Sequence, residues 1–398
     1  MVAPAEADRT AATTDHKSRW LAAAELGAIS SSFSTIVSQL AAARIGRDAA
    51  VDWMTVAAIP ARDSVLGLEP SWSAVLVGVA FHQWADFSWA LVFFGLFGRW
   101  TVHLTPMQIL LAALPWAVLS SAMEWFFLVP LFPFFQPLFT LQQPYWIGLL
   151  VHASSAVMYP LFVWLRWPSG HVPARDARFA RSWAIAAVIV ITTLSAAAFA
   201  SATGREFPWA GGDLDTDQLY IRHMATHHAQ GIELARLGAE RARDPHLRAL
   251  AGLMVASQAG ENRIFERWWQ SWFETLMPDC TDDERSRMPG FLTIQQLQEV
   301  RDASSEAFDG AFVRMMTLHH KGAVKMADQE WRSRGDLRLR IMAHAIRHEQ
   351  QGEIDMMHGV SGAAAVAAAY RHMFSDNVDQ APRGKRRSVG SQGIHSAP

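Results

Sequence analysis

A single cysteine, Cys280, is present among 398 residues. That scarcity excludes an internal disulfide framework and any zinc site built on cysteine. Net charge is equally scarce: 35 Lys+Arg against 37 Asp+Glu leave −2. No global field therefore argues for a nucleic-acid partner. A nucleophile constellation, a phosphate-binding loop and a cofactor fingerprint are all lacking. The run Trp183–Thr203 has no charge at all.

What is present divides the chain in two. The N-terminal half is apolar and rich in Trp and Phe, whereas the C-terminal half is charged and helical in its periodicity. Five stretches are apolar over the roughly 20 residues needed to cross a bilayer. They are Trp20–Ala43, Trp72–Phe97, Pro106–Pro130, Tyr145–Leu165 and Trp183–Thr203. The first carries Glu25, and the small residues of Ala41–Arg44 allow an alternative reading as a long signal peptide. Arg166, Arg175, Arg178 and Arg181 lie between the fourth and fifth stretches, Arg99 follows the second, and Arg9, Lys17 and Arg19 precede the first. Positive charge stays on the cytoplasmic side. Residues 1–19 are then a cytoplasmic tail and residues 20–203 a transmembrane region. Everything beyond a linker at 204–212 lies outside the inner membrane of a bacterium.

Four ionisable residues fall inside these stretches: His82, Asp86, Glu124 and His152. Such residues are costly in lipid and usually functional. His82, Glu124 and His152 all count to the outer part of the membrane. His82 and Asp86 are four apart and share a helix face. Depth allows one cluster, read either as a hydrogen-bond network that holds helices together or as a metal or proton site.

The C-terminal half repeats itself. Shifted by 92 residues, His227-His228 falls on His319-His320, with Asp217 on Asp309, Arg222 on Arg314, Met224 on Met316 and Ala235 on Ala327. Asp244, Leu247, Arg248 and Ala251 fall on Asp336, Leu339, Arg340 and Ala343. Gln258, Gly260 and Glu261 fall on Gln350, Gly352 and Glu353. Such spacing marks an internal repeat, here 213–273 and 305–358. Each copy reads as two helices, with Asp244-Pro245 and Gly335-Asp336 as the turn chemistry. A lone hairpin cannot bury its apolar stripe, but two can, as a four-helix bundle over 213–358. Residues 274–292 read as a polar connection, with Thr293 capping a short helix. Residues 375–398 read as a disordered tail.

Counting from each turn puts the His pair level with the Gln/Glu pair of the neighbouring helix. His223 with His227, Met224 with His228, Met315 with His319 and Met316 with His320 are all i,i+4 pairs. Imidazole suits copper, zinc and iron, and thioether selects Cu(I). His344 and His348 form a further i,i+4 pair with no counterpart in the first copy. The plainer reading makes the methionines core filler and the layer a structural network.

"FDGAFVRMMTLHHKGAVKMA", "IRHEQQGEIDMM" and "MPGFLTIQQLQEVRDASSEAFD" resemble the bacterial "domain of unknown function 305" family over roughly residues 213–358. The resemblance implies a ferritin-like bundle, usually exported, with copper binding in some members. It points to His227, His228, His319 and His320, with Met224, Met315 and Met316 beside them. Gln230-Gly231 and Trp268-Trp269 depart from its pattern, which makes the first copy the weaker site. The membrane half carries no resemblance.

Taken together, the chain reads as all-α: a membrane bundle of about five spans joined to a four-helix bundle. The leading expectation is a membrane-anchored, extracytoplasmic metal-binding protein for storage, tolerance or delivery, with copper preferred over zinc or iron. Its ligands would come from His223, Met224, His227, His228, Glu261, Met315, Met316, His319, His320, His344, His348 and Glu353. Lipid and metal are the partners, and a homo-oligomer stays open. A ferritin-like di-metal oxidase and a metal-free structural or sensory bundle are the alternatives. Against the oxidase, the chain has Gln-x-x-Glu where those sites use Glu-x-x-His.

Overall fold

Eight helix starts among the described residues carry side-chain caps that satisfy free amides of the first turn. Asp48 accepts from Ala50 and Val51, Ser71 from Ala74, Asp213 from Thr216, Asp244 from His246 and Asp336 from Arg338. Thr105, Thr281 and Thr293 each close a capping box, with Gln108, Glu284 and Gln296. The result, a computed structural model, describes residues 4–132, 135, 138–166 and 174–374 and is helical throughout, with no strand among those residues. The tail expected at 375–398 lies outside them.

The membrane half holds α1 (Pro4–Ala41), α2 (Ala49–Ala61), α3 (Trp72–Leu96), α4 (Gly98–Thr101), α5 (Pro106–Met123) and α6 (Val129–Leu131). It continues with α7 (Leu138–Gln142), α8 (Tyr145–Ala156), α9 (Phe162–Arg166) and α10 (Ala174–Ala202). Among the described residues, five helical segments are long and apolar enough to cross a membrane: Arg19–Ile45, Trp72–Leu96, Pro106–Leu131, Tyr145–Arg166 and Ala177–Ala202. Leu76, Leu111, Val188, Ile189 and Phe199 remain exposed on them, as a lipid-facing surface requires. The last helix begins before Trp183, so Arg178 and Arg181 are helical. A π-turn at Glu124–Leu128 interrupts the third segment.

The C-terminal half holds α11 (Leu214–Arg241), α12 (Pro245–Phe273), α13 (Asp282–Arg287), α14 (Ile294–Asp302), α15 (Ser305–Trp331), α16 (Leu337–Met357) and α17 (Gly362–Phe374). Helices α11 and α12 form one hairpin, α15 and α16 the other, and α11 packs on α15. The hairpins lie head to tail, and one repeated residue locks that arrangement. Asp309, at the start of the second hairpin, accepts from Arg243 and Asp244 in the turn of the first, at 2.9 and 3.0 Å. Asp217, at the start of the first, accepts from Asp336 in the turn of the second at 2.8 Å. A Cβ on Gly335 would lie 1.7 Å from Asp217 Oδ1, so this clasp requires glycine there.

Head-to-tail packing also fixes which residues meet. The His pairs stand near the middle of α11 and α15, so antiparallel helices bring both pairs to one height. One apolar cluster closes the bundle on one side of that height, with Leu234, Ala256, Phe312 and Met316. A second closes it on the other, with Met224, Ile264, Ala323 and Ile346.

The bundle rests on the membrane half through α12 and α16. A Cβ on Gly352 would lie 2.0 Å from the Leu141 carbonyl oxygen, and one on Gly260 2.8 Å from the Asp48 Cβ. The paired glycines are thus where helix meets membrane half. Helix α17 extends the bundle beyond residue 358 and packs on α16 and α7, with Ala365, Ala368 and Ala369 buried.

Candidate metal centre: a buried histidine layer

His227, His228, His319 and His320 are each 0% exposed, and Gln258, Glu261, Gln350 and Glu353 are buried around them. The two sets expected from the sequence therefore merge into one layer. The His227 and His319 rings lie 3.8 Å apart, centroid to centroid. Each donates from Nε2 to a backbone carbonyl, His227 to Pro289 and His319 to His227, both at 3.1 Å. A carbonyl can only accept, so each ring carries its proton on Nε2. The lone pair is then on Nδ1, which has no hydrogen-bond partner in either ring.

Burial, reinforced by the neighbouring imidazoles, pushes His227 and His320 down to about 3 and His319 well below the ordinary histidine value. These rings are neutral at physiological pH, which is the form that binds metal. The carboxylates respond in the opposite sense. Burial, with Glu349 and Glu261 nearby, holds Glu353 well above the usual carboxylate range. His320 Nε2 lies 2.7 Å from Glu353 Oε2. Both partners of that hydrogen bond are shifted towards their neutral forms. His228 Nε2 and Glu261 Oε2 repeat the distance, 2.7 Å, in the first hairpin. Both polar atoms of the Gln258 and Gln350 amides lack hydrogen-bond partners.

Other expected ligands lie elsewhere. His223 points to α13, 3.6 Å from Glu284. Met224 packs with Ile221, Phe265 and Trp268, and Met315 and Met316 pack in the other apolar cluster. The thioethers thus flank the layer without a place in its hydrogen bonds. His344 accepts from Trp146 Nε1 at 3.3 Å, and His348 packs against His372, so this pair faces the membrane half and α17. Among the described residues, no three His, Cys, Asp or Glu are gathered to hold one metal ion. The two departures have structural roles: Gln230 exchanges hydrogen bonds with the Leu292 backbone at 2.9 and 2.7 Å, and Trp268 stacks on Trp272.

Sequence reasoning missed the groups that join the layer to the membrane half. Arg47 donates to Glu349 Oε2 at 2.8 Å and to Asp52 Oδ1 at 2.6 Å. Gln142 donates to Glu349 Oε1 at 3.1 Å, and Gln143 to Asp52 at 3.0 Å. Burial pushes Glu349 up to about 7, against the pull of Arg47. The available signal was the charge cluster Arg47-Asp48-Asp52 between two apolar stretches, which reads alone as an ordinary loop.

In the membrane half, His82 and Asp86 both bond Ser34, at 2.9 and 2.5 Å. Glu124 Oε2 lies 3.3 Å from His152 Nε2 and accepts from Trp89 Nε1 at 3.2 Å.

Fold and site together define a chain with five helices long and apolar enough to cross a membrane, joined to a helical domain with a buried imidazole layer. Residues 217–361 match the family described as Domain of unknown function (DUF305). No family model covers the membrane half, and no curated protein matches the chain. Solved structures similar to it include a DUF305 protein from Streptomyces coelicolor, 24% identical over 36% of this chain and 89% of that one, TM-score 0.33. A DUF305 fragment from Deinococcus radiodurans is 27% identical over 39% and 97%, TM-score 0.35. A third, described as CopM in the Cu(I)-bound form, is 27% identical over 36% and 93%, TM-score 0.31.

Proposed function

We propose that the chain is a membrane-anchored metal-binding protein whose C-terminal domain lies outside the cytoplasm and binds Cu(I) through the His227–His319 pair. One observation carries the reading. Two buried neutral imidazoles stand 3.8 Å apart, each locked as the Nε2–H tautomer and each with an unpartnered Nδ1 lone pair. A low-coordinate soft cation needs few donors, and nearby thioethers favour copper in that state. Met224 and Met316 each stand one helical turn from a histidine of the layer, His228 and His320. Storage, tolerance and delivery are all compatible with such a site.

The topology is supported by the contacts. Asp48, Asp63, Leu141 and Gln142, which touch the bundle, belong to segments opposite the arginine-bearing loops around Arg99 and Arg166. The oxidase alternative is weakened by the thin supply of gathered carboxylates. The metal-free structural reading is favoured by the His320–Glu353 and His319–His227 bonds, which satisfy half of each ring without metal.

Cu(I) titration of the full chain in detergent, against a chromophoric chelator, separates these readings. His227→Ala with His319→Ala should remove a bound equivalent and leave helix content unchanged. A wild-type chain that never competes with the chelator, and variants that lose helicity, would make the layer structural.

A further inference from the structure

The membrane half contains a cavity of about 150 Å³. Its wall is mostly apolar and aromatic, with Trp53, Trp125, Phe139, Ile147 and Leu150. An apolar cavity of about that volume holds one benzene-sized ring. Leu150 is 57% exposed, so the cavity lies one side chain beneath the outer surface of the membrane half. No lysine or arginine lines it among the described residues, so an anionic group has no partner there. Several polar atoms of the wall are already bonded, and a few are not. Ser34 donates to Asp86 and therefore accepts from His82 Nε2 at 2.9 Å, which leaves the Nδ1 lone pair of the neutral ring. Glu124 uses Oε2 for Trp89 and His152, and its Oε1 makes no hydrogen bond among the described residues. Gln143 donates to Asp52 from its amide nitrogen, and its Oε1 is buried without a partner. These three unengaged atoms are acceptors, whereas Trp125 Nε1, also buried and unpartnered, is a donor. Buried polar groups are costly to leave unbonded, and small-molecule pockets combine an apolar wall with a few such atoms. Glu124 also opens the π-turn of its helix, a distortion frequent at functional sites.

We infer that this cavity binds an aromatic alcohol: one ring carrying a hydroxyl group, as in a phenol or a quinol. The ring matches the volume and packs on the Trp and Phe side chains of the wall. The hydroxyl donates to an acceptor among His82, Glu124 and Gln143, and its oxygen can accept from Trp125. An ammonium group cannot accept, and a ketone or quinone cannot donate, so each of these leaves part of the set unpaired. The aromatic alcohol uses only atoms without partners. The bonds of His82 to Ser34, of His152 to Ser120 and Glu124, and of Asp52 to Arg47 all stay in place.

Fluorine NMR of the full chain in detergent, with protein-free micelles as the blank, tests this with three single-ring probes. They are para-fluorophenol, its methyl ether para-fluoroanisole, and para-fluorobenzylammonium. Wild type should bind one equivalent of the phenol and hold the ether about tenfold more weakly, because the ether leaves the buried acceptors unpaired. Glu124→Gln keeps the shape of the side chain. Its amide oxygen faces Trp89, so a donor replaces the acceptor at the cavity. That variant should weaken the phenol about tenfold and leave the ether unchanged, which a misfolded chain would not do. Trp125→Phe keeps a ring on the wall, removes the donor and should weaken the phenol too. Absence of phenol binding, equal affinity for phenol and ether, tightest binding of the ammonium probe, or a phenol affinity untouched by Glu124→Gln would overturn the site.

Discussion

The two hairpins of the C-terminal domain carry the same inward face and different outward ones. Inward, His228–Glu261 and His320–Glu353 show the same 2.7 Å contact. Outward, Gly252, Ala256 and Ser257 of α12 correspond to His344, His348 and Glu349 of α16. Each of the latter three has a neighbour across the junction or on α17: Trp146 for His344, His372 for His348, and Arg47 with Gln142 for Glu349. What the hairpins share therefore builds the layer, and where they part company is the face turned to the membrane half. At these three positions the first hairpin supplies small side chains and the second supplies titratable ones.

Removing that charge should produce the largest effect. Arg47 is buried, and Glu349 and Asp52 hold it protonated despite burial. Arg47→Met leaves Glu349 buried without its counter-charge, which costs about 3–5 kcal/mol in such settings. Ser257→Ala, at the corresponding position of the other hairpin, removes only a neutral hydroxyl bonded to Glu349 and should cost about 1 kcal/mol. Adding Glu349→Gln to Arg47→Met should recover most of the loss. Unfolding of the full chain in detergent measures all three. Equal costs for Arg47→Met and Ser257→Ala would erase the asymmetry between the hairpins.

Acid should expose the same asymmetry more gently. His320, His344 and His348 of the second hairpin and His227 of the first are held below the ordinary 6.5, chiefly by burial. Below pH 6.5 the unfolded chain takes up protons that the folded chain refuses, so their stability contribution is present above 6.5 and lost as pH falls. Glu330, Glu349 and Glu353 act in the opposite sense. Burial raises them from 4.5, Glu349 to about 7 and Glu330 to about 8. Their contribution is present below 4.5 and is lost as pH rises through those values. Stability should peak near pH 6.5 and fall on both sides, by a few kcal/mol towards pH 4. Melting curves from pH 4 to 8.5 check this, and His348→Leu should flatten the acid limb. A limb unaltered by that change would remove the second hairpin from the acid response.

How much of this was legible in the sequence follows from the range of each interaction. The apolar stretches are local, so five candidate spans could be read from runs of about 20 residues. Asp244-Pro245, Gly335-Asp336 and Thr293 are local signals too, and each stands at a helix boundary. The level of His228 with Glu261 follows from counting within one hairpin. Merging of the two layers does not, because it depends on the head-to-tail packing of α11 on α15. Arg47 and Glu349 are 302 residues apart and carry no pattern that links them. Helix α2 escaped notice because Asp52 interrupts its apolar residues and Pro60 lies inside it. His344 and His348 were legible as a pair, but their direction is set by α7, α8 and α17.

The shared inward face makes a third test. If both hairpins contribute alike, Glu261→Gln and Glu353→Gln should weaken the domain equally. Each removes the carboxyl group's part in a buried contact with imidazole, worth about 1–3 kcal/mol. A twofold difference would show that Glu349, beside Glu353, carries its charge asymmetry into the layer itself.

The smallest effect is expected at the reciprocal clasp, where the hairpins are most alike. Asp309→Ala frees the Arg243 and Asp244 amides, and Asp217→Ala frees the Asp336 amide. Loss of a capping carboxylate costs about 1 kcal/mol, and up to about 2 in tight settings. Asp217 has the tighter setting, because it also accepts from Trp209 Nε1 and presses on Gly335. It also lies near Glu330 and helps to raise that carboxyl. Asp217→Ala therefore removes two hydrogen bonds and one repulsion, and Asp309→Ala removes two hydrogen bonds from an exposed turn. The two losses should fall within about 1 kcal/mol of each other at neutral pH. Above pH 8 the Asp217 variant should gain relative to wild type, since Glu330 then ionises without its neighbour. A pH-independent difference between the two variants would place Glu330 outside the clasp.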